Sequence, residues 1–306
     1  MHVVTGAFSY TGSYVARELL SRGEAVKTLS RAPDPAHPLS PSVVFGQLHF
    51  DEAALADELR GAATLYNTYW VRFEARGVTW ATVLANTRVL LRAARIAGVR
   101  RVVHFSVSNA SEDSPYSYFR AKAAAEREVR NSGLSHAVVR PTLIVGRDDV
   151  LLNNIAWGLR RLPLFLVPGD GRYRVQPVTV EDLARLAVDL GQGTDDMTRD
   201  AAGPDAVPFG ELVNAIRETI GARCPIVRAP MPLALLAART AGRILGDVVV
   251  TRDELRALRD ELLVSREPPA GATGFYDWLA ANGDALGRAF VAEFRRNWTS
   301  RQPPDP

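Results

Sequence analysis

Cysteine is almost absent from this chain, since Cys224 is the only one among 306 residues. A single thiol excludes an intramolecular disulfide, a cysteine-rich zinc site and iron–sulfur ligation. It also suits a reducing compartment, and we therefore predict a cytoplasmic protein. The five histidines are scattered along the chain without an i,i+4 pair, so we expect no metal site.

Long apolar segments and blocks of like charge are absent as well. The most apolar later stretch, 231–250, is interrupted by Arg239, Arg243 and Asp247 and cannot supply the ~20 uninterrupted apolar residues of a bilayer span, so we interpret it as one or two packed helices and a short strand. The formal net charge is only +3, without a block of consecutive basic residues, which argues against nucleic acid as a partner. The first residues carry neither a basic region nor a cleavage site, so no signal peptide is expected.

What the chain does contain is an alternation of strand and helix patterns. Hydrophobic residues make up 47% and charged residues 23%, as in ordinary globular proteins, and 306 residues suit one or two domains. Short β-branched runs predict strands at 3–4, 25–29, 43–45, 64–66, 102–106 and 137–140. Apolar residues three and four apart predict helices at 11–22, 52–60, 80–97 and 115–132, each followed by a glycine. Strands joined through helices run parallel, so we predict an α/β fold with a doubly wound parallel sheet.

The regular alternation ends near Gly146. Beyond it, proline and glycine interrupt the helical patterns, which is typical of a smaller α+β region. We therefore predict a sheet domain over 1–145, completed by about 176–195, and a C-terminal substrate or capping region over 146–175 and 196–300. The proline-rich residues 301–306 are predicted to form a disordered tail.

A glycine-rich turn follows the first predicted strand and opens the first helix. It runs from Thr5 to Gly12 with the spacing G-x-x-S-x-x-G. At such a turn the unpaired amides and the positive end of the helix dipole bind a pyrophosphate, and glycine permits its close approach. A P-loop is excluded because Gly6 and Gly12 are one residue too far apart and no lysine follows; the hydrolase elbow is excluded around Ser9. We predict a nucleotide site, with a plain tight turn as the alternative.

The second predicted strand ends in Leu29-Ser30-Arg31. A dinucleotide site usually reads the ribose at this position, with an acid for a 2′-hydroxyl or an arginine for a 2′-phosphate. No acid is present here, whereas Ser30 and Arg31 together suit a phosphate. We therefore predict NADP(H) in preference to NAD(H). The alternative is that Arg31 is a solvated loop residue.

A tyrosine and a lysine lie four residues apart in the helix predicted at 115–132. Tyr118 and Lys122 therefore share one face, where an ammonium group beside a phenol favours the phenolate. The pattern arises by chance on many helices, but only two of the 37 basic residues, Lys27 and Lys122, are lysine. A lysine retained at this position favours a proton donor or acceptor at Tyr118.

Together these residues resemble the short-chain dehydrogenase/reductase superfamily, and the chain is most similar to its extended, atypical NmrA-like NAD(P)-binding group. That group includes the NADPH-holding accessory subunit of respiratory complex I. The resemblance spans about residues 1–220, is most specific at its start, and implies an NAD(P)-binding Rossmann domain. Further matching positions are Asn67, Asn86, Ser106, Ser108, Arg140-Pro141-Thr142 and 178–184.

The resemblance also implies a role for each matching position. Tyr118 is the implied catalytic acid/base, Lys122 the ribose anchor and Ser108 the substrate-orienting serine, although only nine residues separate Ser108 from Tyr118, fewer than in typical extended members. Two positions depart from the pattern, because Ser9 replaces the middle glycine and Gln47 an acid. The implied cofactor-binding residues are Gly6, Phe8, Ser9, Tyr10, Gly12, Ser30, Arg31, Gln47, Leu48, Asn67, Thr68, Ser106, Lys122, Pro141 and Thr142.

Aromatic and amide side chains follow the fourth and sixth predicted strands, at the sheet edge where parallel sheets bind ligands. We predict Trp70, Asn153, Asn154 and Trp157 as substrate residues of an apolar pocket for a small lipophilic carbonyl, enone or quinone. The alternative is that the aromatic rings simply pack the capping region.

Two functions remain open at this point. The first is an oxidoreductase that transfers hydride to or from that small molecule, and the second is a non-catalytic NADP(H)-binding redox sensor or assembly factor. Near the end of the chain, Phe290, Phe294 and Trp298 recur at four-residue spacing beside arginines. We favour packing of this stripe on its own domain over contact with a membrane surface.

Overall fold

The computed structural model describes residues 1–293, so Phe294, Trp298 and the predicted tail lie outside the described residues. The described chain divides into two compact units, which we call unit 1 (Met1–Pro141 with Val180–Ala201) and unit 2 (Thr142–Thr179 with residues 202–293). The strands of unit 1 are β1 (His2–Thr5), β2 (Val26–Ser30), β3 (Val43–Gln47), β4 (Thr64–Asn67), β5 (Arg101–Phe105), β6 (Ser135–Pro141) and β11 (Met197–Ala201). Its helices are α1 (Tyr10–Ser21), α2 (Glu52–Leu59), α3 (Trp80–Ile96), α4 (Ser117–Arg130) and α6 (Val180–Gln192).

The sheet of unit 1 has seven strands in the order β11-β6-β5-β4-β1-β2-β3, and all of them run parallel. This is a doubly wound Rossmann-like fold, as predicted from the alternating patterns. The strand order reverses between β4 and β1, where His2 pairs with both Val26 and Thr64. Such a reversal opens a crevice at the carboxyl ends of the two strands, which is where ligands bind in this class of sheet.

Helices cover both faces of the unit 1 sheet because each carries one apolar stripe. On one face, α2 and α3 bury Leu55, Leu59 and Leu90 against strand residues such as Leu65. Both helices have side-chain caps: Asp51 accepts from the amide of Ala54, and Thr79 from that of Thr82. On the other face α1 packs against α6.

Unit 2 is a mixed α+β region, as predicted. Its strands form three two-stranded sheets. In two of them the strands run parallel, with β7 (Leu143–Val145) beside β10 (Pro177–Thr179) and β8 (Phe165–Pro168) beside β13 (Ile226–Ala229); in the third, β9 (Arg174–Val175) and β12 (Val207–Pro208) run antiparallel. A separate core centred on Leu152, Leu212, Ile216 and Phe275 holds them together. The helices of unit 2 are α5 (Val150–Arg161), α7 (Phe209–Thr219), α8 (Met231–Leu245), α9 (Arg252–Arg259) and α10 (Phe275–Asn282).

The stretch 231–250, interpreted as one or two packed helices and a short strand, forms one helix that is largely exposed and no strand. Residues 231–245 form the helix α8, but only Ala234 and Gly242 of it are buried, and residues 247–250 form no strand. Apolar and small residues at helical spacing predict a helix, but they do not show whether another element covers its apolar face. Among residues 1–293, no helix combines the length and the apolarity needed to cross a bilayer.

Candidate functional site

The glycine turn lies at the carboxyl end of β1, beside the reversal of strand order. Gly6 adopts a φ of +71°, its amide donates to the Leu29 carbonyl (2.7 Å), and its own carbonyl accepts from the amide of Ser9 (2.8 Å). A Cβ at Gly12 would lie 2.1 Å from that Gly6 carbonyl oxygen, so only glycine allows α1 to begin this close to the turn. The Ser9 hydroxyl also donates to the Gly6 carbonyl (2.7 Å), which explains how a serine is accommodated in place of the middle glycine.

The beginning of α1 suits a pyrophosphate. Ser9 is the N-cap residue, yet its side chain accepts no hydrogen bond from the first helical turn, because the hydroxyl is turned toward Gly6. The first-turn amides have no partner within a helix, and they coincide with the positive end of the helix dipole. No acidic residue lies in this turn. The residues present therefore fit the diphosphate of a dinucleotide.

The loops after β2 and β3 are tied together beside the predicted ribose position. The Gln47 side chain donates to the Arg31 carbonyl (2.9 Å), and the Leu48 amide donates to the Ser30 carbonyl (2.9 Å). The Ser30 hydroxyl lies 2.9 Å from that of Thr28. Gln47, which replaces the expected acid, thus fixes the backbone of the loop that carries the exposed Arg31.

Aromatic rings that sequence reasoning did not assign lie near the same loops. Phe50 packs against Tyr69 with their ring centroids 4.8 Å apart, and His37 packs against Phe8 at 5.0 Å. Burial raises the pKa of Tyr69, in opposition to a hydrogen bond from Asn86 and to the positive charge of Arg31. In the sequence, Phe50 stands two positions after Leu48, and this position could have indicated that it lies near the site. No neighbouring residue indicates such a position for His37.

A buried polar network fixes the end of β4. The Thr5 hydroxyl oxygen accepts from the amides of Thr68 (2.8 Å) and Tyr69 (3.0 Å). The Asn67 side-chain amide lies 3.1 Å from Nδ1 of His104, and both residues are fully buried. Burial, and secondarily the charge of Lys122, lowers the pKa of His104 to about 3, so this imidazole is neutral. Asn67 and Thr68 thus shape the turn at the crevice from inside the fold.

Tyr118 and Lys122 lie on the same face of α4 against two tryptophans. The Tyr118 ring meets Trp80 edge-on at 5.7 Å and Trp70 at 6.3 Å between centroids, while Trp70 and Trp80 stack at 5.8 Å. The ammonium of Lys122 lies 4.1 Å from the Trp70 centroid and 5.9 Å from that of Tyr118. It also donates to the Phe105 carbonyl at the end of β5 (2.8 Å). The face therefore combines a phenol, a buried amine and an apolar aromatic wall, Trp70 and Trp80.

Burial of the charged Lys122 side chain lowers the stability of the fold, and this effect depends on pH. Burial lowers its pKa from the ordinary value of 10.5 to about 7, although Glu126 partly opposes the shift. Between pH 7 and 10.5 the unfolded chain binds more protons at this position than the folded chain, so folded-state stability rises with pH across this window. Lys122→Met is expected to raise the melting temperature at pH 6, with the difference from the parent shrinking toward pH 10. A lower melting temperature for this variant at pH 6 would show that the amine stabilises the fold there.

The serines after β5 have different surroundings. The Ser106 hydroxyl donates to the Glu126 carboxylate (2.6 Å), inside a network that also holds Arg140. Ser108 is fully buried, and its amide donates to the Pro141 carbonyl (2.9 Å). The Ser106 side chain is therefore bound to α4, and Thr142 belongs to unit 2.

The three predicted substrate residues of unit 2 are engaged within that unit. The Asn153 side chain donates to the carbonyls of Arg147 and Asp149 and accepts from the Gly287 amide. Asn154 makes a paired contact with the backbone of Val291, and Trp157 meets Phe290 edge-on at 5.4 Å. These contacts hold the segment 287–291 on α5. No cluster of three or more histidine, cysteine or acidic residues suited to a metal ion occurs within residues 1–293.

Comparison with known proteins agrees with this geometry. Residues 6–155 match a family of NAD(P)H-binding domains. Mitochondrial subunit 9 of the NADH dehydrogenase (ubiquinone) 1 alpha subcomplex from Arabidopsis thaliana is 27% identical over 86% of the chain and 70% of its own length. The 4-hydroxy-2-methyl-3-oxo-4-farnesyl-3,4-dihydroquinoline-1-oxide ketoreductase of Stigmatella aurantiaca is 27% identical over 84% of each protein.

Solved structures share the same fold. The NADPH complex of an NADPH-dependent quinone oxidoreductase from Escherichia coli aligns with a TM-score of 0.75 and 20% identity, over 92% of this chain and 99% of the other. At this identity the likeness concerns the fold alone. It covers a Rossmann sheet together with a C-terminal region, in agreement with the two units found here.

Proposed function

We propose that this NAD(P)-binding Rossmann protein, which resembles the extended, NmrA-like short-chain dehydrogenases/reductases, is an NADPH-dependent reductase of a small lipophilic carbonyl, enone or quinone. One observation carries the proposal: Tyr118 and the buried Lys122 share a face of α4 under the apolar wall of Trp70 and Trp80. A proton donor beside an apolar surface is what reduction of such a substrate requires.

The chain's own residues provide binding and proton transfer. When bound, NADPH supplies a hydride. Tyr118 is the proposed proton donor to the substrate oxygen, and Lys122 stabilises the resulting phenolate by its positive charge. Gly6, Gly12 and the first turn of α1 are proposed to hold the diphosphate. The other proposed cofactor contacts are Phe8, Ser9, Tyr10, Ser30, Arg31, Gln47, Leu48, Asn67, Thr68, Ser106, Pro141 and Thr142.

The proposed substrate class follows from the wall and from the relatives. Trp70 and Trp80 offer flat apolar surface with few polar groups, which favours a lipophilic ring or chain over a sugar. A related protein is named a ketoreductase of a farnesylated quinoline oxide, and a structural neighbour a quinone oxidoreductase. Ser108 is the proposed orienting residue, while Asn153, Asn154 and Trp157 stay predictions.

A non-catalytic role is the second candidate. It is favoured by the similarity to a mitochondrial complex I subunit and by the full burial of Ser108. In this role the chain would bind NADPH and a protein partner without turning the cofactor over. The single cysteine supports the proposal of a cytoplasmic location. In contrast, the related NADH dehydrogenase subunit is named as a mitochondrial protein.

The two candidates differ in turnover. We expect loss of NADPH absorbance when the full chain is mixed with a panel of carbonyls, enones and quinones that carry apolar groups. Binding of NADPH should be measured on the same sample by protein fluorescence. NADPH binding without oxidation by any member of the panel would favour the non-catalytic role, and absence of NADPH binding would contradict both candidates.

Arg31 is expected to determine the preference for NADPH. A charge-assisted pair with the 2′-phosphate is worth ~1.5–3 kcal/mol, so NADPH should bind at least about tenfold more tightly than NADH. Arg31→Ala should remove most of this preference and leave NADH affinity nearly unchanged, because the diphosphate contacts are common to both cofactors. Fluorescence titration with each cofactor measures this, and Arg60→Ala, at an exposed arginine after α2, is the control. Equal affinities of the unmodified protein for the two cofactors would contradict the role of Arg31.

A further inference from the structure

Helix α8 presents an unusually bare apolar surface. Only two of its fifteen residues, Ala234 and Gly242, are buried. Leu233 is 52% exposed, Leu236 60% and Ile244 81%, and Ile244 is the most exposed large apolar side chain among residues 1–293. Scattered exposed leucines are ordinary on a protein surface, whereas several on one short helix mark an interaction site.

These side chains form one continuous stripe, which we call the α8 face: Leu233, Leu236, Ala237, Thr240 and Ile244. Their spacings of three and four residues place them on the same side of the helix. The hydroxyl of Thr240 donates to the Leu236 carbonyl (3.0 Å), so its hydrogen-bonding need is met within the helix. The stripe is therefore apolar along its whole length.

Positive charge borders the α8 face. Residues 219–246 contain four arginines and no acidic residue. Arg239 and Arg243, one helical turn apart, lie along one edge of the stripe by the 100° rotation between successive helix residues. Within the part of the chain that the structure describes, neither arginine forms an ion pair. An apolar stripe bordered by unpaired arginines is typical of a helix that lies in the plane of a membrane interface.

Charge also decides among the surfaces that could cover the α8 face. In a symmetric dimer built on this face, the arginines of the two copies would lie close together. Since the same segment contains no acidic residue to pair with them, their mutual repulsion would disfavour the dimer. An anionic lipid surface, in contrast, pairs with the arginines while the leucines enter the region below the headgroups. A helix of this length measures about 22 Å, too short to span the bilayer and suited to lying flat.

We propose that α8 binds the surface of an anionic lipid bilayer, with the α8 face inserted and Arg239 and Arg243 on the lipid headgroups. The proposal is independent of catalysis, since no residue of α8 is among the proposed cofactor or catalytic residues. It differs from the membrane contact considered for the stripe at Phe290, which lies in another segment.

Vesicle flotation of the full chain tests the proposal. The protein is expected to float with vesicles of phosphatidylcholine mixed with phosphatidylglycerol, and far less with phosphatidylcholine alone. Raising the ionic strength to about 1 M, where the Debye length falls to ~3 Å, should weaken this binding strongly. Each basic residue near an anionic surface contributes about fivefold to the affinity for the membrane. The double variant Arg239→Glu with Arg243→Glu should therefore reduce vesicle binding more than about tenfold. Leu236→Glu with Ile244→Glu should abolish it, because carboxylates would enter the apolar layer.

The matched control uses another helix end with the same residue types. Arg95 and Ile96 close α3, and Ile96 is 62% exposed. Arg95→Glu with Ile96→Glu should leave flotation unchanged. All variants should keep the parent's circular dichroism and melting temperature, since the replaced side chains bury little surface.

Three outcomes would overturn the proposal. The first is that the full chain does not float with anionic vesicles, and the second is an equal loss of binding in the α3 control. The third is a dimer in sedimentation that Leu236→Glu dissociates, combined with no vesicle binding, which would identify the α8 face as a contact between copies of the chain.

Discussion

Replacing Tyr118 by phenylalanine is expected to lower NADPH-dependent turnover by about 10²–10⁴-fold, the usual contribution of a positioned general acid. The affinity for NADPH should change little, because the proposed diphosphate and ribose contacts lie elsewhere. Phenylalanine keeps the edge-on ring contacts with Trp70 and Trp80, so the fold of the aromatic wall should persist. The measurement is steady-state turnover with the best substrate of the panel, beside a cofactor titration of the same variant.

A neighbouring tyrosine supplies the control for this variant. Tyr116 precedes α4, and its buried ring packs on Phe119 at 6.2 Å. Tyr116→Phe removes a hydroxyl from the same segment without touching the proposed reaction, so its turnover should stay near that of the parent. Undiminished NADPH oxidation by Tyr118→Phe would exclude Tyr118 as the acid and leave the reductase without its proton donor.

The fold could be read from the sequence wherever local pattern and burial coincide. The helices predicted at 11–22, 52–60, 80–97 and 115–132 differ from α1–α4 by a residue or two at their ends. The seventh strand, β11, was not predicted, because Met197–Ala201 has a single β-branched residue and two charged ones. It pairs with β6 through a register that only the tertiary fold provides.

The residues of the candidate site likewise fall into those that local sequence indicates and those that only the tertiary fold positions. The glycine turn and the pair Tyr118 and Lys122 depend on neighbours within a few residues, so spacing was enough to find them. Asn153 and Asn154 are instead held by Gly287 and Val291, more than 130 residues further along the chain. No local pattern encodes such a contact, so the sequence indicated two amides after a strand but not the backbone groups of unit 2 that they bind.

Glu126 is expected to be the most stability-sensitive residue of α4. It is fully buried, accepts from the Ser106 hydroxyl (2.6 Å), and binds Arg140 through both Nε (2.7 Å) and Nη2 (2.6 Å). Arg130, one turn along the helix, completes the group at 2.6 Å. These bonds join α4 to the ends of β5 and β6, and so position the helix that carries Tyr118.

Glu126→Ala is therefore expected to destabilise the protein by about 3–5 kcal/mol, since it removes the buried carboxylate to which Ser106, Arg130 and Arg140 all donate. Glu128→Ala is the matched control two residues along α4, where the carboxylate pairs with the half-exposed Arg88 and should contribute less than about 1 kcal/mol. Urea unfolding followed by circular dichroism measures both free energies. A double variant with Glu126→Leu and Arg140→Leu should recover part of the loss, because both charges of the Glu126–Arg140 pair are then removed, while the 42% exposed Arg130 side chain can turn to solvent. Equal effects of Glu126→Ala and Glu128→Ala would mean that the buried network does not hold α4 in place.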